Sequence, residues 1–229
     1  MLSFVQPIAN YSTKKCASIS SVKSTVQGAC STHSFCTYQA LDILKNDGFT
    51  KPALTFGYFL KQLEDGVRWA DKGFKSIYHY YDPDTKKGKY KFMSSAELCD
   101  AYTEKAVRLW KNKKHHDAMF YLGAASHLVQ DMCVPHHACC AATKGHHYFE
   151  KWAEKHKEDY RANDGGIYEF FKSASEWVHF NALYSKRYFK FVNLNSSEEE
   201  YHLATSVLLP RAQKTTSGFW LNFYRLIIE

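Results

Sequence analysis

Within 24 residues this chain carries two metal-binding pairs at helix spacing, one on each side of a proline turn. His127 and Asp131 are four residues apart, and so are His146 and Glu150. On an α-helix that spacing stacks both side chains on one face, one turn apart. The region between them therefore has to be two helices joined by a turn. Pro135 cannot continue the first helix, so His137 is offered from the turn beyond it. Imidazole and carboxylate on a shared face suit a borderline divalent cation, above all zinc. One such pair is common in structural helices. Two pairs linked by a histidine-bearing turn make a designed metal site the better reading.

At 229 residues, with 45% hydrophobic and 16% aromatic side chains, the chain can bury a full core and is not disordered as a whole. The 16 Tyr and 16 Phe suit a cleft lined by rings. A net charge of +7 favours an anionic surface, phosphate or acidic lipid, although no run of Lys and Arg is long. Seven cysteines without a CxxC motif exclude a thiolate zinc knuckle, and the odd number argues against a complete disulfide framework. Most read as small buried hydrophobes. No apolar run is long enough for a membrane span. Residues 1–9 resemble an ordinary tail more than a signal peptide, because Pro7-Ile8-Ala9 is a poor cleavage match.

Residues 1–30, rich in Ser, Thr, Lys and Gly in their second half, are expected to be loosely structured, with one all-α domain over 31–229. Periodicity predicts helices over about 33–46, from Pro52 to about Asp71, about 116–131, about 146–160, about 167–192 and about 198–227. Ser94-x-x-Glu97 is a capping-box signal that opens one more helix. The stretch 73–93 reads as a long loop, of the kind that is often functional.

Twelve histidines are present. For His115, His116, His136, His147, His156, His179 and His202 a structural or surface role is the simpler reading. Three further polar residues stand where a core or plain loop would not need them: Asp71 ends an apolar helix, His79 sits in the Tyr78-His-Tyr-Tyr-Asp-Pro-Asp84 loop, and His33 opens the first helix.

At this point the motifs align in order. They are Thr32-His33-Ser-Phe, Leu63-Glu-Asp-Gly66 through Ala70-Asp71, His79-Tyr-Tyr-Asp-Pro-Asp84, Phe120-Tyr-Leu-Gly123, His127-x3-Asp131-x3-Pro135-x-His137-Ala138, His146-x3-Glu150 and Gln213-Lys-Thr-Thr-Ser-Gly218. In this set, and from about Ser31 to the C-terminus, the chain resembles the bacterial zinc-dependent phospholipases C. The resemblance implies an all-helical fold with zinc ions at the bottom of a cleft. It implies that His79, His127 and Asp131 hold one zinc, and His137, His146 and Glu150 a second. A third would be held by His33 and a bridging Asp131 together with the mature N-terminal residue. Asp71 would be the general base on the attacking water. The implied substrate is a phospholipid at a membrane or micelle surface, with no nucleic acid partner, in a secreted monomer.

The chain departs from that pattern in three places. The family's third zinc uses an N-terminal Trp upstream of His33, but the corresponding stretch Ser20 to Lys23 has none, and the first Trp is Trp69. Two strong zinc sites and an uncertain third are therefore expected. Lys72 and Ser76 stand where lecithin-cleaving members carry aromatics, which predicts a shift towards anionic or small headgroups. The resemblance stops with the helical domain, so the lipid-binding domain of the toxin members is expected to be missing. Two alternative readings are a single-strand-specific zinc nuclease, which shares the architecture, and a catalytically weak metal-stabilised binding protein. Glu150 and the His79–Asp84 segment favour the lipase over the nuclease.

Overall fold

The computed structural model describes residues 31–89 and 92–228, and the expectations for residues 1–30 lie outside them. Among the described residues the regular structure is helical: α1 Thr32–Asn46, α2 Thr50–Tyr58, α3 Leu60–Ala70, α4 Ser95–Lys111, α5 His115–Asp131, α6 Pro135–Ala138, α7 His146–His156, α8 Ala174–Ser185 and α9 Glu198–Ile228.

Helix α5 is the centre. Every residue from Leu122 to Asp131 is buried, so the helix is enclosed on all sides by its neighbours. The run Gly123-Ala-Ala-Ser126 lets those neighbours come close. A Cβ on Gly123 would lie 2.1 Å from the Leu63 carbonyl of α3, and a Cβ on Gly66 would lie 1.9 Å from the Phe120 carbonyl of α5. The two glycines therefore interlock α3 and α5 backbone to backbone. Helix α9 closes the other side, where Trp220 Nε1 donates to Ser126 Oγ at 2.9 Å. This packing fixes the C-terminal end of α5, which carries His127 and Asp131, beside the C-terminal end of α3, which leads into Asp71.

The capping box at Ser94 and Glu97 forms as the sequence predicts. Two helices differ from expectation. The stretch from Pro52 to Asp71 breaks at Phe59 (φ −102°, ψ 17°) into α2 and α3. The Phe59 side chain is buried against Trp110 and His116, so tertiary packing overrides the local periodicity. The stretch 167–192 is helical only over α8, followed by a 3₁₀ helix over Lys186–Phe191. Ile167 N–H donates to Lys214 O of α9 at 3.0 Å, and its carbonyl lies where a Cβ on Gly218 would sit, 1.7 Å away. Its backbone is thus bound to α9 rather than to its own helix. Inside the predicted 73–93 loop, Gly73–Tyr78 is a 3₁₀ helix and Asp82 bridges to Lys87.

Gly66→Ala is expected to destabilise the fold by about 1–3 kcal/mol, because the new methyl meets backbone that cannot yield. Gly57→Ala, whose Cβ would meet only the Leu41 side chain at 3.8 Å, should be neutral or stabilising. Urea midpoints of the two variants decide the point; equal midpoints would remove the interlock as the determinant of α3–α5 packing.

Candidate metal centre

Segments far apart in the chain converge on one cavity of about 610 Å³. Its wall includes His33 from α1, Asp71 from the end of α3, Ser76, His79 and Tyr80, Gln130 and Asp131 from α5, His137 from α6, and His146 and Glu150 from α7. Seven of these were candidates in the sequence, and the eighth candidate, His127, lies behind them.

Asp131 is the hub. One oxygen, Oδ2, lies 2.9 Å from His79 Nδ1 and 3.3 Å from His127 Nε2. The other, Oδ1, lies 3.3 Å from His33 Nε2 and 3.7 Å from His137 Nε2. Oδ2 is buried, yet it makes no hydrogen bond at these distances. A buried carboxylate oxygen ringed by imidazole nitrogens, without a hydrogen bond of its own, is the arrangement cations satisfy. Among the described residues, three groups have ligand atoms within 4.8 Å of one another: His33, His127 and Asp131; Asp71, His79 and His127; and His137, His146 and Glu150. In the last group His146 Nε2 is 2.8 Å from Glu150 Oε1 and 3.0 Å from His137 Nε2. Asp71 thus joins His79 and His127 as a possible ligand, beyond the base role that the resemblance implies.

Several of these imidazoles are aimed by backbone or by a second side chain. His137 Nδ1 donates to the His79 carbonyl at 2.8 Å, which leaves its Nε2 to face the centre. His33 Nδ1 donates to Gln130 Oε1 at 2.9 Å, and Gln130 Nε2 donates to Thr216 Oγ1 at 3.3 Å. Gln130 is a residue that the sequence reading missed. The available signal was its position three residues after His127, on the helix face that carries the metal pair. His136 has the structural role expected of it: its Nε2 donates to Lys144 O at 3.0 Å and its ring stacks on His146.

The electrostatics follow from crowding histidines on buried carboxylates. Burial works against a charge on His137, but Asp131 and Glu150 outweigh it and lift its pKa to about 9. Burial alone would raise Glu150 and Asp131. The surrounding histidines instead hold both well below the usual carboxylate range. For His136, burial dominates and lowers it to about 4.

Lys72 does not line the cavity; it is exposed beyond Asp71, whereas Ser76 does line it. The headgroup shift expected from Lys72 therefore loses its main support. Tyr80 and Phe149 are the rings on the wall. Cys36, Cys99 and Cys133 are buried, as expected of small hydrophobes, and Cys139 and Cys140 are half-buried.

A family model described as zinc-dependent phospholipase C matches residues 32–198. The chain belongs to this family. A phospholipase C of Clostridium perfringens is 30% identical over 84% of this chain and 58% of its own length. One of Bacillus cereus is 29% identical over 71% of this chain and 70% of its own. The crystal structure of C. perfringens alpha-toxin from an avian strain superposes with a TM-score of 0.73 at 25% identity, covering 86% of this chain and 64% of the toxin. The alpha-toxin of Clostridium absonum gives 0.74 at 22% identity. The chain thus spans a little over half the length of the C. perfringens relative. The all-α class is that of the family, and the donor set found here fits the zinc of its name.

His146→Ala should lower bound zinc and thermal stability together, because metal binding feeds into folding free energy. Unchanged zinc content and melting would remove His146 from the site. The metal-free protein should also depend on pH. The stabilisation from a charged His137 is complete below its unfolded value of 6.5 and is lost as pH rises through about 9. Chelated protein should therefore melt progressively lower across that window, while the gain in melting temperature on adding zinc grows, since less His137 proton has to be displaced. Thermal scans with and without zinc at several pH values test both halves.

Proposed function

We propose that this chain hydrolyses the glycerol–phosphate bond of phospholipids, giving diacylglycerol and a phosphorylated headgroup. The observation that carries the reading is the convergence of three histidine–carboxylate groups around the two oxygens of Asp131, on the wall of one open cleft. His79, His127 and Asp131 would hold one zinc, and His137, His146 and Glu150 a second. His33 and the other oxygen of Asp131 would serve a third. Zinc bound there supplies Lewis acidity, neutralising phosphate oxygens and making water acidic enough to attack near neutral pH.

The chain's own residues do the rest. Asp131 serves two groups at once, as a carboxylate can and a histidine cannot. Gln130 and the His79 carbonyl hold His33 and His137 in the tautomers that face the centre. Burial of His79, His127 and Asp131 keeps bulk water off their side of the site. Asp71 stands at the exposed edge, where it can take the proton of the attacking water as the bond from phosphorus to the glycerol oxygen breaks. We also propose, from the family resemblance, that the protein acts as a secreted monomer. Among the described residues no helix is long and apolar enough to cross a membrane.

Asp71→Asn should lower turnover of a phospholipid by ~10²–10⁴-fold, the usual worth of a general base, with zinc content nearly intact. Near wild-type turnover would exclude Asp71 as the base, and loss of a zinc equivalent alongside activity would make it a ligand instead. The wild-type protein should release phosphorylated headgroup from lipid and leave single-stranded DNA uncut. The opposite pattern would establish the nuclease reading, and inactivity on both would leave a metal-stabilised binding protein.

A further inference from the structure

A second cavity, of about 470 Å³, opens further along α9 and shares no residue with the metal centre. Its volume falls within the roughly 300–1,000 Å³ of ordinary ligand sites. Helix α9 gives Ala212 to the cleft and Phe219 to this cavity, two helical turns apart, or roughly 10 Å. The other walls are α4 and the start of α8. Val107, Phe219, Phe223 and Leu226 supply the apolar lining. Two hydrogen bonds hold the walls in place: Asp100 Oδ1 accepts from the Ser175 N–H at 2.7 Å, and Asn222 Nδ2 donates to Phe171 O at 2.9 Å. Thr103 adds a buried hydroxyl to the wall. Beyond a weak approach to the Cys99 thiol, that hydroxyl has no hydrogen-bond partner among the described residues. A buried hydroxyl without a partner costs stability unless something in the cavity meets it.

The charge at the mouth has one sign in excess. Arg108, Lys111 and Lys172 stand there, exposed and without an ion pair among the described residues. Of the two acids on the wall, Asp100 is engaged at Ser175, which leaves Glu104 against three cations. The surroundings add to the excess, since residues 105–114 hold five cations and no acid. Cations in the last turn of α4 offset its dipole, which accounts for Arg108 and Lys111. It does not account for Lys172, which reaches the same mouth from a different segment. An apolar wall beneath a cationic mouth suits one kind of ligand. An apolar chain would replace water on the wall, and an anionic head would meet the exposed cations.

We propose that the cavity between α4, the start of α8 and the C-terminal turns of α9 binds a single-chain anionic amphiphile. The chain lies against Val107, Phe219, Phe223 and Leu226, and the carboxylate or phosphate head sits among Arg108, Lys111 and Lys172. This site is separate from the metal centre, so its occupancy can be measured without turnover.

The test is calorimetric titration of the zinc-loaded full chain with dodecanoate and with dodecyl phosphate, both below micelle formation. Uncharged dodecyl maltoside and the shorter octanoate serve as comparisons. The wild type should bind at least one of the two dodecyl anions saturably, one per chain. Their ratio tells a fatty acid from a monoacyl phosphate. Octanoate should bind tenfold or more weakly than dodecanoate, because four methylenes leave the wall. A Lys111→Gln/Lys172→Gln variant should lose roughly tenfold in affinity. Val107→Trp, which fills the cavity, should abolish binding, while its zinc content and melting match the wild type. A control, Lys190→Gln, alters an exposed lysine outside both cavities and should bind as the wild type does. Binding of neither anion would overturn the proposal. So would equal affinity for the maltoside, or full binding by both cavity variants, which would place the amphiphile in the zinc cleft. If Val107→Trp does not fold, the double glutamine variant, changed only at exposed side chains, decides alone. If the wild type self-associates and Val107→Trp abolishes that association without changing amphiphile binding, the cavity is a contact between copies and the proposal falls.

Discussion

The structure depends on one buried carboxylate. Asp131 sits at the end of an enclosed helix, with four histidine nitrogens within 3.7 Å of its two oxygens. A lone carboxylate at that depth would be protonated or excluded from the core. Here the histidines hold it ionised, and its Oδ2 is buried without a hydrogen-bond partner among the described residues. That unmet valence is the physical case for bound cations. It also explains why the segments that supply the ligands have to meet at the C-terminal end of α5.

The scaffold serves that requirement by close backbone contact. Gly66 and Gly123 bring α3 and α5 together, which sets Asp71 near His79 and His127. Gly218 and Ile167 strap an extended segment onto α9, and α9 in turn presents Thr216 to Gln130. Gly145, in a left-handed conformation at φ 93°, turns the chain into α7 so that His146 and Glu150 face His137. None of these positions supplies a donor atom itself, and each sets the direction of a ligand.

The surface divides along the same line. Lys72, which follows Asp71 in sequence, turns outward while Asp71 turns into the cleft. A lysine that the sequence placed in a headgroup pocket thus stands outside the cleft wall, as does the exposed Phe74. The cleft wall is of mixed character: Tyr80 and Phe149, the carboxylates of Asp71, Glu150 and Glu154, and the ammonium of Lys151.

The doubled four-residue spacing, the proline between the pairs and the apolar stripes were legible as helices and as a metal site, because helix periodicity is local and each pair is formed by its own helix. The capping box at Ser94 was legible for the same reason. The break at Phe59 was not, since Phe59 leaves the helix to fill a core space made by Trp110 and His116. The short span of α8 was not, since Ile167 gives its backbone to α9. Nor were the role of Gln130, the grouping of Asp71 with His79 and His127, or the outward turn of Lys72. Sequence alone fixed which side chains each helix could present. Tertiary structure decided which of them face one another, because that depends on contacts between segments far apart in the chain, as between His33 and Gln130, 97 residues away.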